Sequence, residues 1–227
     1  MSIIDRSYFE YTEVFIPNAK EDVTDSLLGV KNNLDSFINK YEREILVASL
    51  GYKLFNEFNN ELEPTQANGL KPTASVKWDE LLNGKEYVIN DKTVNFRGIR
   101  FSDSNFNGND IYQSFIAHYV YYHYLQDYDQ SYSGVGVQKE NPSNAFRVSN
   151  IKKSVSAWRS FYELMIGEYY SVTYMYNNLN IIGIDYYGCG NRERSLYEFI
   201  RDQNSLVSDY YEDWEPTVFY NQNTFGL

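Results

Sequence analysis

One cysteine, Cys189, and two histidines, His118 and His123, are all that 227 residues hold of thiol and imidazole side chains. A lone cysteine excludes an internal disulfide framework. His118 and His123 are five apart, so on a helix they face different sides and cannot form the i,i+4 pair of a helical metal site. Cys189 lies between Gly188 and Gly190 with no cysteine-enzyme signature around it. No phosphate-binding glycine loop occurs, since Gly134 and Gly136 lack the third glycine. Asp103-Ser104-Asn105-Phe106-Asn107-Gly108 fits the first half of a calcium loop, but Ser114 stands where the bidentate Glu belongs. A capping loop is expected there, with no metal, no cofactor and no enzymatic activity. Long apolar runs are missing too, which excludes a membrane span. Met1 to Arg6 has neither part of a signal peptide, so a soluble intracellular product is expected.

Cations are scarce: 20 basic residues against 31 acidic give a net charge of −11, and a field of that sign disfavours binding to phosphates. The basic residues gather only at Lys152-Lys153 and Arg192…Arg194, which is no nucleic-acid footprint. The acidic cluster Asp209, Glu212, Asp213, Glu215 reads as a solvated or partner-facing tail.

What the chain has in excess is aromatic rings, at 18% with 23 tyrosines, more than a core of this size uses. Such a surplus points to protein–protein contact surfaces. The stretch from Asp110 to Asp127 is apolar nearly all round, with Asp110 as its expected N-cap, and predicts a central helix surrounded by other elements.

Around it the periodicity predicts a mainly α fold, a bundle of three to five helices with a small β-hairpin and extended arms at both ends. Residues 1–22 read as an N-terminal arm with a short strand at Thr12 to Ile16. Residues 23–180 form the core. Its first stripe runs from Leu27 to Phe58 and is split by Gly51 into helices near 24–50 and 52–62. A short helix begins at Val76 and stops at Asn83-Gly84, followed by a hairpin near 87–97 and a polar loop over 102–109. Residues 128–143 read as a loop. The next helix carries a stripe through Ile151, Val155, Trp158, Tyr162, Met165 and Tyr169, ending near Asn178. Residues 181–227 add a weaker helix through Leu196, Phe199 and Ile200 and an aromatic tail. Tyr8, Phe9, Tyr11 and Phe15 in the first arm, and Tyr210, Tyr211, Trp214, Phe219, Tyr220 and Phe225 in the second, follow no period and are the expected interaction residues.

Trp78, Leu81, Leu82, Gly84 and Tyr87 make a W-x-x-L-L-x-G-x-x-Y pattern, followed by the hairpin, Gly98-Ile99 and the aromatic helix. This order resembles the head–tail connector (adaptor) proteins of tailed bacteriophages, particularly the Bacteroidetes and crAss-like type. Phe37-Ile38…Tyr41-Glu42…Leu50-Gly51…Leu54-Phe55 is similar to that family's first helices. The resemblance covers about residues 20–180. It implies a structural virion protein made in the host cytoplasm, a homo-oligomer forming a dodecameric ring at the head–tail interface. Its partners would be the portal protein and a further ring or tail protein, with DNA sliding through unbound and no membrane contact. Trp78, Leu81, Leu82 and Tyr87 are expected to fix the short helix and hairpin to the central helix. The competing expectation is a Tyr-rich module that binds glycans or proteins.

Overall fold

The central helix of the computed structural model is α4, Phe115–Tyr128, held between two others. On one side lies α1, Leu34–Leu50, with Tyr41 edge-on to Tyr119 and Phe37 edge-on to Tyr124. On the other lies α5, Ile151–Met165, with Trp158 on Tyr122 at 4.9 Å and Phe161 on Tyr119 at 5.1 Å. In both pairs low numbers meet high, so α1 and α5 each run antiparallel to α4. Phe115 to Tyr122 are all buried, as an apolar circumference demands. The structure describes residues 2–10, 13–16, 19, 34–67, 69–104, 110–128, 131–133, 136–138, 151–167 and 192–217.

The helix starts later than the sequence predicts. Asp110 is not its cap: Asp110–Gln113 is a strand, β4, paired antiparallel with β3, Phe101–Ser104, where a loop was expected. Ser114 caps instead, its Oγ accepting from the Ile116 N–H at 3.1 Å. Strand pairing gives Ile111 and Tyr112 an extended ladder partner, and a hydroxyl at 114 then satisfies the first free amide of the helix.

α2, Tyr52–Glu61, follows α1 after the single residue Gly51, at φ 83°. The break falls where the sequence places it. The main chain of Glu215 crosses here, its carbonyl oxygen 2.7 Å from where a Cβ on Gly51 would stand. α3, Val76–Asn83, leads through Gly84 into the hairpin β1, Lys85–Ile89, and β2, Lys92–Phe96. The two-residue turn Asn90-Asp91 has φ of 49° and 60°, the mirror-image turn that suits strand twist. β7, Arg192–Glu193, lies parallel to β2 and extends the sheet to the order β1-β2-β7. A second small hairpin, β5 (Ser131–Ser133) and β6 (Gly136–Gln138), occupies part of the predicted 128–143 loop. α6, Leu196–Leu206, opens with a capping box between Ser195 and Glu198. The fold is thus mainly helical with a small hairpin, as expected. Among the described residues no helix is long and apolar enough to cross a membrane.

Three expectations are corrected. The buried stripe of α5 is Ser154, Ala157, Phe161 and Met165, while Ile151 and Val155 are exposed. Trp158 and Phe161 must both reach the α4 rings, and that requirement turns the helix away from the predicted stripe. α5 ends at Met165, followed by a turn to Gly167 at φ 58°, where a Cβ would stand 2.6 Å from Ser195 Oγ; the predicted continuation through Tyr169 lies outside the described residues. The first residues are no extended arm. Arg6–Phe9 is a 3-10 turn capped by Asp5, and Ile4, Tyr8, Phe9, Val14 and Ile16 are buried in the same core. Residues 13–16 are turn and coil, with the Ile16 N–H donating to the Phe9 carbonyl at 2.9 Å.

Candidate functional site

Of the W-x-x-L-L-x-G-x-x-Y residues, Leu81, Leu82 and Gly84 meet where α3 ends. Gly84 at φ 95° stops the helix, its N–H donating to the Glu80 carbonyl. The chain returns after β2 and lays Gly98, at φ 86°, directly on that stop. A Cβ on Gly98 would lie 2.5 Å from the Gly84 nitrogen, and one on Gly84 would lie 2.5 Å from the Phe96 carbonyl oxygen. The returning strand takes the carbonyls that α3 leaves over: the Ile99 N–H donates to Leu81 at 3.1 Å and the Arg100 N–H to Leu82 at 2.9 Å. Leu81 and Leu82 are buried beneath.

Trp78 and Tyr87 are buried as expected, yet their neighbours are not the expected ones. Trp78 packs on Phe58 of α2 and on Tyr211, and Tyr87 packs edge-on to Phe199 of α6. Phe96 stacks on Phe199 at 4.2 Å. The unit is therefore fixed to α2, to α6 and to the chain after α6, rather than by these two rings to the central helix. Helical spacing can show which residues point inward but not which element they meet.

A polar network that the sequence reading missed ties the sheet to α6. Arg194 lies 3.1 Å from Asp202 and 3.8 Å from Glu198, both buried carboxylates one helical turn apart. The Tyr87 hydroxyl donates to Asp202 at 3.0 Å, and burial with that neighbouring carboxylate pushes its phenol above the ordinary range. Lys85 reaches Glu80 at 2.8 Å and Gln203 at 3.1 Å, and Tyr210 donates to Glu80 at 2.8 Å. Beside this lies a polar cleft of about 410 Å³ lined by Asn83, Lys85, Glu86, Arg97 and Arg100, among others. Arg97 rests on the Phe101 ring and pairs with Glu193, and Arg100 donates to the Ala67 carbonyl at 3.1 Å. Ser195-x-x-Glu198 was a readable capping signal; the pairing of Arg194 with Asp202 carried none.

Glu42 is the second group that periodicity hides. Buried in α1, it accepts from the N–H groups of Ile3 and Ile4 and from the Ser2 hydroxyl, at 2.7 to 3.0 Å. Burial raises its carboxyl above the ordinary value, while these donors act in the opposite direction.

Apart from Phe15, the described aromatic residues expected in arms belong to this chain's own packing. Tyr8 and Phe9 are buried, and Tyr8 packs on Tyr112 at 5.2 Å. Tyr211 is buried, its N–H held by Asn204 and its hydroxyl donating to the Lys77 carbonyl at 2.7 Å. Trp214 donates to the Ser49 carbonyl at 3.0 Å, and the Thr217 N–H to Ala48 at 2.8 Å. Tyr210 is half-buried, and Phe15 alone of the described set is exposed. Tyr11, Phe219, Tyr220 and Phe225 lie outside the described residues, as do Cys189 and residues 105–109 of the calcium-like stretch.

His118 is buried in α4, and burial pushes its imidazole down to about 4. His123 stacks flat on Tyr41 at 4.1 Å. Among the described residues no group of three His, Cys, Asp or Glu comes together to hold a metal ion. No family model, curated protein or solved structure matches the chain.

Proposed function

We propose that this chain is a structural subunit of a ring that joins the capsid portal to the tail in a tailed bacteriophage. The observation that carries the reading is the Gly84–Gly98 contact. Of the residues that resemble the connector family, Leu81, Leu82, Gly84, Gly98 and Ile99 meet in one packed unit whose two glycines have a steric reason to be glycine. The buried carboxylates described above are engaged by an arginine, a tyrosine or main-chain amides and fasten elements together. Many tyrosines are likewise spent inside: Tyr8, Tyr41, Tyr87, Tyr119, Tyr121, Tyr122, Tyr197 and Tyr211 are buried, which removes them from any glycan-stacking platform. The net charge of −11 suits the wall of a conduit through which DNA slides without sticking.

Electron microscopy and native mass measurement of the purified chain, alone and mixed with a portal protein, test the reading. The expected result is a closed ring of uniform copy number, alone or on the portal. A chain that stays monomeric and does not bind portal overturns it.

A further inference from the structure

Four of the exposed large aliphatic residues form two pairs. Ile151 and Val155, at 53% and 39% exposure, lie one turn apart on the outward face of α5. Leu206 and Val207, at 49% and 51%, close α6. Their surroundings carry opposite charge. Lys152 is exposed on the same flank as the first pair, with Arg159 exposed one turn beyond Val155, while Lys153 points to the opposite flank. Asp209, Glu212 and Glu215 are exposed in the stretch that follows the second, while the neighbouring Asp213 is drawn back toward Lys53 at 3.4 Å.

The two faces stand at opposite ends of the bundle. From Phe161, which packs on Tyr119, α5 runs back past Trp158 and Tyr122 towards the end of α4, where Tyr124 meets Phe37 near the start of α1. Ile151 therefore lies at the end where α1 begins. The other pair lies beyond the point where α1 stops: Trp214 bonds to the Ser49 carbonyl and packs on Tyr197 at the start of α6, whose last turns then lie against the hairpin through Asp202 and Gln203. The 17 residues of α1 separate these ends by about 25 Å.

We infer that the basic aliphatic face of α5 docks on the acidic aliphatic face after α6 of a second copy of this chain. Aliphatic residues give each face a desolvated centre, and opposite charge around them selects the partner and its orientation. Because the faces are different and lie at opposite ends, the contact is head-to-tail: it closes into a ring if the rotation per copy allows and otherwise runs on as a filament. The contact deepens the proposed function and rests on it only for the expectation of closure.

The test is a charge exchange in the full chain. Variant one carries Lys152→Glu and Arg159→Glu; variant two carries Glu212→Lys and Glu215→Lys. Asp209 is left in place because its φ of 60° disfavours lysine. All four substituted side chains are exposed, and circular dichroism checks that both variants fold. In sedimentation at low salt the parent is expected to assemble with rising concentration. Each variant alone has two faces of like charge and is expected to lose assembly. Mixed in equal amounts the variants should assemble again in alternation, and added salt should weaken every assembly. Variants that assemble alone as the parent does would overturn the docking while leaving a ring through other faces intact. A parent that never self-associates would overturn it too, leaving open a ring formed only on the portal. Assembly that follows the charge rule but stays open would sustain the docking and count against the ring.

Discussion

Gly98 rests on Gly84 backbone to backbone, with the site of a Gly98 Cβ only 2.5 Å from the Gly84 nitrogen. Both have φ near 90°, a conformation L side chains rarely adopt. Gly98→Ala therefore strains the backbone by about 1–3 kcal/mol and forces the two segments apart, which costs about 1–3 kcal/mol more. Urea unfolding followed by circular dichroism should show that loss, and an unchanged midpoint would mean the segments are not in contact.

Trp78 carries the second prediction. Its ring is buried between Phe58 and Tyr211, with the Lys77 ammonium 4.4 Å above it. Trp78→Ala should cost about 3–5 kcal/mol. Tyr211 should lose part of its protection with it, readable as faster exchange of the Tyr211 amide. Unaltered stability would place Trp78 outside the core.

Glu42 makes the N-terminal segment testable. Glu42→Ala strips the acceptor from the Ile3 and Ile4 amides, at about 1–3 kcal/mol for each N–H left buried and unpaired. Hydrogen exchange should find both amides protected in the parent and open in the variant, with α4 protected in both. Rapid exchange at Ile3 and Ile4 in the parent would restore the extended arm.

His118 sets an acid limb on stability. Its imidazole is held down to about 4 from an ordinary 6.5, so the unfolded chain binds the proton first. The stabilising contribution is complete above 6.5 and is lost as pH falls towards 4, amounting to about 3 kcal/mol at most. His118→Phe removes the titrating group and should flatten that part of the stability–pH curve. An identical slope in the variant would show that other groups carry it.

The legible parts of this fold were those written in local chemistry. Gly51 interrupts a stripe, Asn83-Gly84 stops a helix, and Asn90-Asp91 turns a hairpin; each acts within a few residues. The motif residues were legible as a group for the same reason, though the partners of Trp78 and Tyr87 were not. What escaped depends on distant partners. Phe101–Ser104 is polar enough to read as loop and becomes a strand only because Asp110–Gln113 returns beside it. The α5 sequence holds two overlapping stripes, and the α4 rings decide between them. The first residues show no period because separate distant contacts fasten them, Ser2, Ile3 and Ile4 to Glu42, Arg6 to Asp35 and Tyr8 to Tyr112, and no local pattern predicts those.

The crossing of Glu215 over Gly51 has a consequence for synthesis. The corner between α1 and α2 is covered by main chain from 214–217, which is translated after all six described helices. While the ribosome is still making α6, the Thr217 and Trp214 donors to the carbonyls of Ala48 and Ser49 do not yet exist. The corner then closes through contacts of very large sequence separation, the kind that form slowly. Nascent chains stalled before Trp214 should therefore hold a loose α1–α2 joint that tightens only on further elongation.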